Sequence, residues 1–128
     1  MKYVLTFLLV VIMSSTVVAE MSVEKYDISK KEEAAILDSY IAGLAMAFKL
    51  TNITNENMGN SKFYCPPSNL AFNAENYMGI IDDEIRLSKL NKSSYQNTPV
   101  SHFLLQGLSR SFPCKAESDS KSKKQAGK

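Results

Sequence analysis

The chain has no tryptophan, one histidine and two cysteines among its 128 residues. A single histidine, His102, leaves no pair of imidazoles for a His-based metal site. No H-E-x-x-H, C-x-x-C or phosphate-binding glycine loop occurs either. Gly107-Leu108-Ser109-Arg110-Ser111 misses the G-x-S-x-G nucleophile pattern at its last position, and it falls inside an expected helix rather than at a strand-to-helix elbow. No catalytic residue, metal site or cofactor is assigned, and the expectation is a protein that is not an enzyme. Basic clusters are also missing from the body. Five lysines crowd residues 115–128 beside Glu117 and Asp119, and without that stretch and Lys2 the chain keeps 9 basic against 11 acidic residues. Such a near-neutral body argues against a nucleic-acid partner.

What is present begins with an export signal. Lys2 precedes the apolar run Tyr3 to Met13, interrupted only by Thr6, and Val17-Val18-Ala19 supplies a cleavage site with a small residue at its last position. The run is shorter than the roughly 20 residues a membrane helix needs. Residues 1–19 therefore read as a signal peptide, with no membrane association after its removal. Residues 20–128 remain, 109 in all, enough for one small domain but few for a deep core. In an oxidising compartment the two cysteines read as a Cys65–Cys114 disulfide.

Along the mature chain the periodicity is helical, and the expected fold is all-α: a small bundle of three to four helices stapled by one disulfide over residues 20–114. The segment from Glu20 to Ile28 is polar and reads as irregular or loosely helical. Ser29 and Glu32 fit a capping box, and Leu37, Ile41, Leu44 and Phe48 follow as one stripe. Beside them Ala42, Gly43, Ala45 and Ala47 are small, which suggests close approach of another helix at Gly43. Residues 51–62 read as an Asn-rich loop. After Phe63-Tyr64-Cys65-Pro66-Pro67, a second helix should start between Ser68 and Ala71, with Ala74, Met78, Ile81 and Ile85 inward. Asp82-Asp83-Glu84 fans out over about 200° of that helix and reads as a solvated face, not a paired-carboxylate site. A third helix starts with Thr98 as cap and Pro99 in its first turn, carries Leu104, Leu105, Leu108 and Phe112 inward, and ends at Pro113. His102 should lie on its surface. Residues 115–128 cannot bury apolar surface and read as a disordered Lys-rich tail. The glycosylation patterns at Asn52-Ile53-Thr54 and Asn91-Lys92-Ser93 are short, and both are treated as chance.

Three features in order, Tyr40-Ile41-Ala42-Gly43, Tyr64-Cys65-Pro66-Pro67 and the stretch from Pro99 to Phe112-Pro113-Cys114, make the chain resemble the Rap/Tai-type immunity family of bacterial type VI secretion systems. The resemblance spans about Ala34 to Cys114. Where some relatives carry a further cysteine, Leu37 stands here, so one disulfide is available. The resemblance implies a periplasmic protein that binds and inhibits a cognate secreted toxin, a peptidoglycan amidase being the expected class. Periplasmic acid-stress chaperones, which are also small, exported, helical and single-disulfide, are the first alternative, and lysozyme-type inhibitors, again a binding function, are the second. For a toxin inhibitor the expected contact is the loop between the last two helices. Its candidate residues are Lys89, Asn91, Lys92, Tyr95, Gln96 and Asn97, with Tyr95 as the aromatic anchor. The apolar helices also exceed what a thin monomer can bury, which points to a homodimer.

Overall fold

The computed structural model describes residues 20–91 and 95–115. The expected signal peptide, Lys92 and nearly all of the Lys-rich tail lie outside them. Four helices follow in order: α1 (Val23–Glu32), α2 (Ala34–Asn57), α3 (Ala74–Leu90) and α4 (Val100–Ser111). Among the described residues there is no β-strand, only a single antiparallel bridge between Ser22 and Pro99. The fold is thus the expected all-α bundle with one disulfide.

Its first helix was not expected as such. Val23, Tyr26 and Ser29 recur every third residue and are all buried, so a narrow stripe suffices to dock an otherwise polar helix. Ser22 caps it, accepting from the Lys25 amide at 3.3 Å. Ser29 therefore caps nothing; it sits inside α1, and the chain breaks at Glu33 (φ −137°, ψ 43°), which enters α2 without a side-chain cap.

α2 runs through most of the expected Asn-rich loop, to Asn57. Tertiary contact overrides the weak helix propensity of that stretch. Buried Asn52 donates to the Tyr64 carbonyl at 2.7 Å and accepts from the Phe63 amide at 2.9 Å. One amide side chain thus pins the returning segment along the helix. Gly59, at φ +74°, makes the turn after α2, where a side chain would be strained.

The helix after the prolines starts later than the expected Ser68 to Ala71, at the first residue of its stripe. α3 begins at Ala74, capped by Asn73, whose side chain and that of Asn76 bond reciprocally to each other's backbone amides. α4 has Pro99 rather than Thr98 at its N-cap. The core joins Tyr26 of α1, Leu37 and Ile41 of α2, Ile81 of α3, and Val100, Leu104 and Leu108 of α4, all fully buried. Leu44, Phe48, Ala74, Met78, Leu105 and Phe112 pack half-buried around it.

Gly43 is not a close-packing point: nothing lies within 4 Å of where its Cβ would stand. The close approach is at Gly107 instead, where a Cβ would fall 2.2 Å from Ile80 Cγ2. α3 and α4 meet there across a surface that only a glycine allows.

The carboxylate run diverges as its helical geometry requires, but it is not uniformly solvated. Asp83 is exposed and pairs with Arg86 at 3.0 Å. Asp82 takes the Tyr26 hydroxyl at 3.1 Å as well as Lys30. Glu84 is buried, with Arg110 at 3.2 Å neutralising it. Burial, then the charge and hydrogen bond of Asp82, hold the Tyr26 phenol well above its usual pKa.

Candidate binding site at the α3–α4 loop

The site depends on how rigidly two helices are held. Cys65 and Cys114 form the disulfide, with Cα atoms 4.9 Å apart. The Cys65 amide donates to the Phe112 carbonyl at 2.7 Å beside it. This clamp closes one end of the α3–α4 pair, Gly107 seats the middle, and the connecting loop occupies the opposite end. A disulfide of this kind fits a chain that folds in an oxidising compartment.

The loop residues divide by burial. Lys89 is exposed in the last turn of α3, and Asn91 is that helix's C-cap, its amide bonded back to the Leu87 carbonyl at 3.1 Å. Gln96 and Asn97 are exposed in a turn closed by the Thr98 amide on the Tyr95 carbonyl at 3.0 Å. Tyr95 is half-buried and packs back on the core, with the Lys89 ammonium 5.2 Å from its ring centroid. The candidate anchor is thus one part scaffold and one part surface.

Sequence reasoning missed the neighbours of this loop. A recess of about 340 Å³ is lined by Ser88 and Asn91 of the α3 end, Tyr95 and Thr98 of the loop, and His102, Phe103 and Gln106 of α4. The signal was a polar stripe: Thr98, His102 and Gln106 recur every fourth residue on the side of α4 away from Leu104 and Leu108. His102 is exposed, as expected, and its ring meets Phe103 edge-on at 6.0 Å between centroids. Amide, hydroxyl and imidazole groups around an aromatic ring can form directional hydrogen bonds to a protein surface. Among the described residues, no three His, Cys, Asp or Glu side chains converge to hold a metal ion.

Two other recesses have different chemistry. One of about 570 Å³ lies beside the disulfide, between Glu56, Lys62 and Lys115. Another of about 430 Å³ lies between α1, α2 and α3, where Asp38, Glu75 and Asp82 surround Leu37 and Met78 and Lys30 pairs with Asp82.

No protein-family model, curated protein or solved structure matches the chain.

Proposed function

We propose that this chain is an immunity-type inhibitor: an exported protein that occupies a cognate type VI secreted toxin, a peptidoglycan amidase, in the periplasm. The observation that carries this reading is the α3–α4 hairpin. It is clamped covalently at one end, seated on a glycine in the middle, and carries at its other end a polar recess flanked by Tyr95. Inhibition by occupancy needs such a surface and no reaction of its own. Rigid presentation limits the ordering cost of binding, and one aromatic anchor among polar groups is a common form of hot spot. The motif order from Tyr40 through Tyr64-Cys65-Pro66-Pro67 to Cys114 supports the same reading.

The test is survival. Cells exporting a candidate amidase toxin to the periplasm should lyse, and co-expression of the full chain with its signal should rescue them from the cognate one. Tyr95→Ala should weaken toxin binding by about 2 kcal/mol. Because its ring also packs on the core, Tyr95→Phe serves as the control that keeps the scaffold and should bind nearly as well as the parent. Full protection by Tyr95→Ala would remove the loop from the interface. Reversible unfolding at acidic pH, with suppression of aggregation of other proteins, would instead favour a chaperone.

A further inference from the structure

A fourth recess, of about 210 Å³, lies at the disulfide end of the α3–α4 hairpin, away from the candidate loop. Leu108 and Phe112 line it from the end of α4, Tyr77 from the first turn of α3, and Tyr64 and Phe72 from the segment that joins α2 to α3. Phe72 holds the rings together, meeting Tyr77 edge-on at 5.3 Å and Phe112 at 5.7 Å between centroids. The polar groups here are few and lack protein partners. Tyr64 is only 6% exposed, yet among the described residues its hydroxyl has no hydrogen-bond partner, and neither has that of Tyr77. No buried side-chain polar atom among the described residues is both sealed from solvent and unpartnered. The small exposed part of Tyr64 therefore includes its hydroxyl, on the wall of the recess. Burial first, then the neighbouring Tyr77, raises the Tyr64 phenol above its usual pKa and keeps it a proton donor. Lys49 of α2 is the one charged residue lining the recess; it is exposed and forms no ion pair with a described residue.

We propose that this recess binds a small aromatic carboxylate, its ring among Phe72, Tyr77 and Phe112 and its carboxylate on the Lys49 ammonium and the Tyr64 hydroxyl. Size sets the first limit. A cavity of about 150 Å³ accepts benzene, and drug-sized ligands need at least about 300 Å³, so this recess takes one ring and a short polar arm. Charge sets the second. With one cation and no carboxylate in the lining, an anion is attracted and an amine repelled. Hydrogen bonding sets the third. A nearly buried hydroxyl without a protein partner gains a bond from an incoming acceptor. Two phenols and one ammonium are too few to satisfy the many hydroxyls of a sugar ring. A peptide laid along the rim finds no amide donors on Pro66 or Pro67, so a free acid suits the recess better than a chain terminus. The site shares no residue with the α3–α4 loop and stands independently of the toxin-binding reading.

The test titrates the exported, oxidised protein with phenylacetate and follows the tyrosine and phenylalanine ring signals by NMR. Binding should saturate with a dissociation constant on the order of 0.1–1 mM, as expected for so small a ligand. The shifts should centre on Tyr64, Phe72, Tyr77 and Phe112. Lys49→Met keeps the stem of an exposed side chain and removes its charge; it should weaken binding at least tenfold with unchanged helicity. Tyr64→Phe removes only the hydroxyl and should weaken binding at least threefold. Acetate, which has no ring, and 2-phenylethylamine, which has the opposite charge, should each bind at least tenfold more weakly than phenylacetate. Absence of saturation at 10 mM phenylacetate, or shifts centred elsewhere, would overturn the site. Equal binding of phenylacetate by Lys49→Met and parent, or equal binding of the amine, would overturn the carboxylate assignment. A glycine pentapeptide ending in phenylalanine that binds more tightly than phenylacetate would assign the recess to a chain terminus and overturn the free acid.

Discussion

Alanine in place of glycine should have opposite effects at two positions of this bundle. At Gly79, in the middle of α3, nothing lies within 4 Å of the added carbon. Gly79→Ala should therefore show the helix-propensity gain alone, about 0.5–1 kcal/mol of added stability. At Gly107 the same carbon would fall 2.2 Å from Ile80 Cγ2, 3.1 Å from Glu84 Cγ and 3.4 Å from the Ile80 carbonyl oxygen. Ile80 cannot simply turn aside, since a β-branched side chain in a helix holds essentially one rotamer. The helices must separate by a large part of the overlap. They would take with them the contacts of Ile81 and Leu104 and the Glu84–Arg110 pair. Overpacking of this kind costs about 1–3 kcal/mol. Taking its upper half and setting the propensity gain against it leaves a net loss of about 1–2 kcal/mol. For a domain of this size that is a fall in Tm of roughly 5–15 °C. Urea and thermal denaturation at one fixed protein concentration would measure both variants. Stabilisation by Gly107→Ala comparable to that of Gly79→Ala would refute the close contact between α3 and α4.

Two further outcomes follow from the same packing. Cys65→Ser opens a loop of 49 residues and should lower stability by about 4 kcal/mol; oxidised and reduced protein melting alike would show that the bond stabilises nothing. Stability should also fall at alkaline pH. Burial first of all keeps the Tyr26, Tyr64 and Tyr77 phenols protonated above their ordinary pKa of 10.0, so their contribution is complete below pH 10.0. It is lost as the pH climbs further, because the unfolded chain then releases protons that the folded one retains. Phenolate absorbance should therefore appear in two stages, the second coinciding with loss of helicity, and a single stage without unfolding would contradict this.

Large periodic stripes made much of the bundle legible. Leu37, Ile41, Ile81 and Ile85 are buried as their spacing requires, and the two cysteines meet. The misreadings have specific causes. α1 hides because Val23, Tyr26 and Ser29 are too few to raise a hydrophobic stripe among charged neighbours, and Ser29 with Glu32 imitates a cap. The end of α2 hides because Thr51 to Asn57 favours turns locally, while the buried Asn52 amide that holds it there depends on residues 11 and 12 positions later. Gly43 and Gly107 differ only in what faces them, which no local window contains. The candidate site was half legible. Loop polarity pointed to Asn91, Tyr95, Gln96 and Asn97, but the recess also needs His102 and Gln106, which join it only once α4 lies against α3.

The Cys65–Cys114 bond also decides which parts of the chain can carry tension. Both α3 and α4 lie inside the loop it closes, while α1 and α2 lie outside. When the chain is drawn from its two ends, force passes through the sulfur bridge and bypasses residues 66–113. α1 and α2 can unravel while the loop-bearing hairpin stays unloaded. A machine that threads the chain from its C-terminal end meets the bridge at Cys114 before any of the four described helices, and must then admit two strands abreast or wait for a reductant.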